Sequence, residues 1–126
     1  MPDLRWDHLH LRSPDPAATA RYYVDVFGAE PVSQVEVDGR LRVIVSLAGL
    51  NLFIEQVPPG TPAPPAPPHL GLEHIGLAVS DMDAACADLR ARGAEFVVEP
   101  HSPRPGVRIA FVRAPEGVRI ELLQRA

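Results

Sequence analysis

The chain has 126 residues and a formal net charge of -4, with 46% hydrophobic and 22% charged residues; this balance suits one soluble globular domain and excludes a disordered or fibrous chain. A net negative charge without a basic cluster gives no electrostatic reason to bind DNA, RNA or an anionic membrane surface, and no apolar run approaches the roughly 20 residues that span a bilayer. Cys86 is the single cysteine and cannot form an intramolecular disulfide, and no apolar signal segment follows Met1, so a reducing cytoplasm is the expected location.

Residues 8–15 read HLHLRSPD. Leu9 and Leu11 fall on one side of an extended segment, and His8, His10 and Arg12 on the other, as a half-buried strand requires. Asp15 then stands before Pro16, an N-cap followed by proline at the first helical position. Ala20, Tyr23, Val24 and Phe27 recur at helical spacing until Gly28 supplies a left-handed stop. Three strands are expected next, over about 31–37, 41–47 and 50–57, separated by the turn pairs Asp38-Gly39 and Ala48-Gly49. The run PPGTPAPPAPP at 58–68 can form neither helix nor central strand, and reads as an extended linker reaching to about residue 71.

Beyond the linker the pattern returns. HIGLAVSD at 74–81 lies over HLHLRSPD at a shift of 66 positions, and the same shift carries Glu55 to Glu121. Ile75, Leu77 and Val79 alternate as Leu9 and Leu11 do. Ser80 with Asp83 forms a capping-box pattern, Met82, Ala85, Cys86 and Leu89 form the buried stripe of a second helix, and Gly93 ends it. Strands are expected over about 95–99, 107–113 and 118–124, with Pro-Glu-Gly at 115–117 as the last turn. The fold class is therefore α+β: one domain over 1–126 made of two tandem βαβββ modules, about 4–57 and 72–124. The modules should form a curled mixed sheet around a concave cavity, with the helices outside.

Glu55 and Glu121 each alternate with apolar neighbours, so both should face away from the helix-packed side, toward the same cavity as His8 and His74. Two imidazoles and two carboxylates suit one borderline divalent ion, zinc, nickel, cobalt, manganese or iron(II), with positions left for water or substrate. Four buried polar groups without such a partner would cost several kcal/mol. His10 shares the face of His8 and could orient a ligand, move a proton or face substrate. Arg12 lies one step further along and could meet an anionic ligand or form a rim salt bridge. Phe53 offers apolar contact. His69 and His101 fall in proline-flanked loops expected to be exposed, and Cys86 reads as core packing.

These residues, together with Tyr22-Tyr23 before Phe27-Gly28, the block GLEHIGLAVSDMDAACADLRARG and the closing APEGVRIELLQ, resemble the vicinal oxygen chelate superfamily, also called the glyoxalase/bleomycin-resistance/dioxygenase superfamily. The resemblance covers nearly the whole chain. It implies metal ligands at His8, Glu55, His74 and Glu121, and a small-molecule substrate handled by a homodimer. A full ligand set implies a glyoxalase I-like or methylmalonyl-CoA epimerase-like lyase or isomerase, with Glu121 or Glu55 as the base that removes a proton beside a chelated carbonyl. The alternatives are a binding or antibiotic-resistance protein without catalysis, and a ring-cleaving oxygenase using only three of the ligands. Arg12 matches an arginine that glyoxalase I uses near glutathione. Gln56 and Val57 stand where that enzyme's glutathione-contacting asparagine would be sought, and Ala114 stands where an aspartate is usual.

Overall fold

The structure, a computed structural model, describes residues 1–126, and they form two compact units, Met1–Pro62 and Ala63–Ala126. The boundary falls inside the proline-rich segment 58–68. Neither helix is long and apolar enough to cross a membrane.

Unit one runs β1 (His8–Ser13), α1 (Pro16–Phe27), β2 (Glu30–Val37), β3 (Arg40–Leu47) and β4 (Leu50–Gln56). Its four strands lie in the order β1-β4-β3-β2, with β1 parallel to β4 and the other pairs antiparallel. Asp15 caps α1 by accepting a hydrogen bond from the Ala18 amide at 3.2 Å, and Gly28 ends the helix in the left-handed region. The buried stripe of α1 is Pro16, Thr19, Ala20, Tyr23 and Val26. Val24 and Phe27, expected on that stripe, are only half-buried, because the helix turns its 16-19-20-23-26 row onto β3 and β4. Val43, Val45, Leu47, Leu52 and Ile54 complete this core, and each fully buried aliphatic side chain stabilises by about 1.5–3 kcal/mol.

Unit two repeats the order with β5 (Ile75–Ala78), α2 (Met82–Ala91), β6 (Glu95–Arg104), β7 (Val107–Arg113), a short 3-10 turn (Pro115–Gly117) and β8 (Arg119–Arg125). The sheet order is β5-β8-β7-β6. Each unit thus realises the expected βαβββ module. Met82, Cys86, Leu89, Ala110, Val112, Ile120 and Leu122 are buried.

Two expectations for this half need correcting. The cap of α2 is Asp81, not Ser80: its carboxylate accepts from the Ala84 amide at 3.0 Å, repeating the Asp15 cap. The shorter side chain one residue earlier is not needed, because Gln124 Oε1 on β8 accepts from the Met82 amide. Strand β6 also continues five residues past the expected end, through Pro100 and Pro103 to Arg104. It is an edge strand with register shifts on either side of His101, and an edge tolerates proline because one side of its ladder needs no donor. His101 therefore lies in a strand rather than a loop, though exposed as expected.

Candidate functional site

In each unit the last strand carries a glutamate that is mostly buried: the Glu55 side chain is 17% exposed and that of Glu121 is 16%. Strand alternation explains this, since Ile54 and Ile120, each next to its unit's glutamate, are fully buried on the helix-packed face of their own sheet and the glutamates take the opposite face. What surrounds each carboxylate differs.

Glu55 sits in register between Arg12 on β1 and Arg42 on β3. Arg42 Nη2 donates to Glu55 Oε1 at 2.8 Å, His10 Nε2 lies 3.1 Å from the same oxygen, and Arg40 Nη1 is 3.7 Å from Oε2. The Arg42 hydrogen bond holds this carboxyl below the usual carboxylate range; burial opposes the shift, and the charges of Arg42 and His10 add to it. The His8 ring stacks on Phe53 with centroids 3.9 Å apart, and its Nδ1 is 2.6 Å from Asp7 Oδ2. His10, Leu11, Arg12 and Glu55 line an open pocket of about 540 Å³. Arg12 is exposed and, unlike Arg40 and Arg42, is engaged by no carboxylate.

Glu121 sits in register between Gly76 on β5 and Phe111 on β7. His74 Nε2 is 3.5 Å from Glu121 Oε1, and His74 Nδ1 is 2.8 Å from Glu73 Oε1. The hydrogen bond to His74 is the main reason the Glu73 carboxyl lies below its usual range, with the charge of Arg119 adding to it. Phe111 meets His74 edge-on with ring centroids 5.1 Å apart, and the Arg119 guanidinium carbon lies over the Phe111 ring at 4.6 Å from its centroid.

Of the expected site residues, the structure brings together His10 with Glu55 and His74 with Glu121. It places His8 on Phe53 and leaves Arg12 at the pocket rim. Neither unit by itself assembles three potential metal ligands. Three residues that the sequence reading passed over now bear on the site: Arg42, Glu73 and Arg119. An acidic residue precedes both His8 and His74, and that repeated pair was the signal available for Glu73.

The fit to a divalent ion can be judged unit by unit. Two ligand atoms each about 2.0–2.2 Å from one ion lie roughly 3–3.5 Å apart, and His74 Nε2 and Glu121 Oε1 have that separation. With Nδ1 facing a carboxylate in both His8 and His74, the Nε2 atom is the one left to hold a metal, the usual arrangement for a ligating histidine. In unit one, His10 and Arg42 occupy Oε1 of Glu55, and Oε2, approached only by Arg40 Nη1 at 3.7 Å, keeps lone pairs that could bind an ion.

Comparison with known proteins agrees with this architecture. Residues 5–122 match the family model of the Glyoxalase/Bleomycin resistance protein/Dioxygenase superfamily. The chain is 28% identical to the uncharacterized protein YaeR of Escherichia coli (strain K12), over 94% of either chain. It is 27% identical to Glyoxalase I of Saccharomyces cerevisiae, covering 97% of this chain and 45% of that enzyme, so it spans less than half of that relative's length. The fold superposes on the glyoxalase family protein from Enterococcus faecalis with a TM-score of 0.80 at 22% identity, covering 94% and 96% of the two chains. With nearly the whole chain matched by the family model and the fold shared, the chain belongs to the glyoxalase/bleomycin resistance/dioxygenase superfamily.

Proposed function

We propose that the protein is a metal-dependent lyase or isomerase of the glyoxalase I or methylmalonyl-CoA epimerase type, removing a proton from a carbon beside a carbonyl and returning it to complete the isomerisation. The observation that carries this reading is Glu121: a mostly buried carboxylate, beside the Nε2 atom of an oriented histidine, with no arginine on it. His8, Glu55, His74 and Glu121 are the residues that would hold one ion of zinc, nickel, cobalt, manganese or iron(II). Such an ion, when bound, polarises the substrate carbonyl and stabilises the charge that develops as the adjacent C–H bond is lost.

The chain's own groups do the rest. Glu121 takes the proton on a carboxylate oxygen, since its lone pairs are not committed to a guanidinium as those of Glu55 are. Glu55, held by Arg42 and His10, stays ionised and serves as ligand rather than base. Arg12 binds an anionic end of the substrate from the pocket rim, and His10 and Phe53 line its approach. The 27% identity to Glyoxalase I supports this assignment. A small-molecule substrate, a homodimer and a cytoplasmic location belong to the same reading.

The test is elemental analysis of protein purified without added metal, for wild type and His74→Ala, followed by assays on thiol adducts of 2-oxoaldehydes and on branched acyl-CoA thioesters. About one divalent ion per chain, lost in the variant, with turnover abolished by chelation and by Glu121→Gln, is the expected result. Turnover that survives both treatments overturns it.

A further inference from the structure

The four proposed ligands do not include Glu73 or Arg119, yet these two residues form a chain that ends on His74. Arg119 Nε lies 3.5 Å from Glu73 Oε1, and the same oxygen is 2.8 Å from His74 Nδ1. The Arg119 guanidinium is itself fixed by stacking on Phe111, the ring that meets His74 edge-on. Arg119 Nε is buried without a full hydrogen bond, so its interaction with Glu73 is an ion pair in a sheltered position. Unit one has the first link of this chain but not the second. Asp7 approaches His8 Nδ1 at 2.6 Å with its side chain 86% exposed, and His8 is its one ionic partner. Where β8 has Arg119, two residues before the glutamate, β4 has Phe53.

We propose that Glu73 and Arg119 are positioning residues that lock His74 in the Nδ1–H tautomer, so that its Nε2 lone pair points toward Glu121. A neutral imidazole carries one N–H. With a carboxylate against Nδ1, that proton sits on Nδ1 and Nε2 becomes an acceptor. Nε2 and Glu121 Oε1 then face each other as two acceptors 3.5 Å apart, an arrangement that favours a cation between them. Arg119 keeps Glu73, half-exposed at 50%, from swinging into solvent. The carboxylate partner of His8 has no such anchor, so this restraint on the tautomer is particular to His74.

This inference rests on the reading of His74 as a metal ligand, and the experiment separates the two. Two-bond proton–nitrogen correlation spectra of the metal-free full chain, recorded above the ordinary histidine titration range, report the His74 tautomer directly. Zinc titration of the same samples reports affinity. Wild type is expected to show the Nδ1–H form. Glu73→Ala should move His74 toward the Nε2–H form and weaken zinc binding about 10- to 100-fold. Glu73→Gln, whose amide oxygen still accepts from Nδ1–H, should retain the wild-type tautomer. Arg119→Met, which still covers Phe111, should give a mixture of tautomers. An Nε2–H form in wild type, or a tautomer indifferent to Glu73→Ala, overturns the proposal. A Glu73-dependent Nδ1–H form in a protein that binds no zinc upholds the positioning and defeats the metal reading alone.

Discussion

The two units are copies of one module, yet the residues flanking their glutamates have opposite character. Glu55 lies between Arg12 and Arg42, whereas Glu121 lies between Gly76 and Phe111. An arginine and a phenylalanine contact one another in both units, but they have exchanged strands. In unit one Arg42 is on β3 and Phe53 on β4, with the guanidinium 5.7 Å from the ring centroid; in unit two Phe111 is on β7 and Arg119 on β8, at 4.6 Å. The exchange decides what the cation touches. On the middle strand it reaches across to the glutamate, and on the glutamate's own strand it reaches back to the carboxylate that orients the histidine. The two units thus carry the same pair of side chains on exchanged strands, and under the proposed function that placement would divide the labour, with Glu55 held as an ionised ligand and Glu121 left able to take a proton.

The largest effect should come from removing that free carboxylate. Glu121→Gln is expected to lower kcat about 10²- to 10⁴-fold, the range for loss of a general base, while Glu55→Gln should act chiefly by lowering metal content. Equal losses of kcat at full metal occupancy would show that the two glutamates are not divided in this way. A milder version makes unit two resemble unit one: Gly76→Arg places a guanidinium beside Glu121 from an exposed position. Circular dichroism should find the variant folded, and steady-state kinetics should show kcat down about tenfold or more, as expected when the base is held by a charge.

The converse change frees Glu55. In Arg42→Met, carbon-13 NMR titration should find the Glu55 carboxyl moved up toward the ordinary carboxylate range, because the Arg42 hydrogen bond is the main cause of its present position. The sign for stability follows from linkage. A carboxyl lowered on folding stabilises the native state above its unfolded-state value, and this contribution disappears as pH falls through the folded value. Wild type should therefore exceed Arg42→Met in stability at neutral pH, and the gap should close in acid. A gap that widens on acidification would contradict the ion pair.

The exchanged pairs can also be weighed against each other by double-mutant cycles in urea. Arg119 with Phe111 should show a coupling of about 0.5–1 kcal/mol, typical of a partly exposed cation–π contact. Arg42 with Phe53, at the longer distance and with the guanidinium committed to Glu55, should show less. Coupling of equal size would mean that Arg42 is positioned by the ring rather than by the carboxylate.

Much of this could be read from the chain. The βαβββ repeat, the Asp15 cap and the placement of Glu55 and Glu121 on the sheet face away from the buried isoleucines all follow from patterns a few residues long, where alternation and capping chemistry leave little choice. The environment of each glutamate does not, because it depends on which residues pair across strands. A constant shift of 66 positions carries Arg42 to Arg108, and so suggests that Glu121 has an arginine opposite it. The sheet instead puts Phe111 there, and Arg108 pairs with Asp83 at the start of α2. On the parallel side the register differs too: Arg12 lies opposite Glu55, but Gly76, not Ala78, lies opposite Glu121. As a result His10, rather than His8, is the imidazole in contact with Glu55, while the capped Nδ1 that matches His74 belongs to His8. Register of this kind is set by turn length and by packing across the sheet, which an alignment at fixed shift does not see.

The turn before the last strand is where the registers part. In unit one Leu47 pairs with Leu50 across the two-residue turn Ala48-Gly49; in unit two Arg113 pairs with Arg119, leaving five residues, 114–118, in the connection. Those three additional residues slide β7 along β8 and bring Phe111 to Glu121. The tight turn of unit one is bought with strain, since both Ala48 and Gly49 have positive φ, at 50° and 87°, and a left-handed conformation costs a residue with a Cβ about 1–2 kcal/mol. Ala48→Asn places there a residue that tolerates this region and forms the favoured two-residue hairpin pair with Gly49. The variant should be more stable by about 0.5–1 kcal/mol, seen as a higher urea midpoint with unchanged slope, and Arg42 should remain hydrogen-bonded to Glu55. Inserting three residues at the same turn should instead let β3 slide on β4. Loss of the depressed Glu55 titration in that insertion variant, with the fold retained, is the expected outcome if turn length alone selects which side chain meets the glutamate; a Glu55 titration unchanged by the insertion would assign that selection to the packing of β3 under α1.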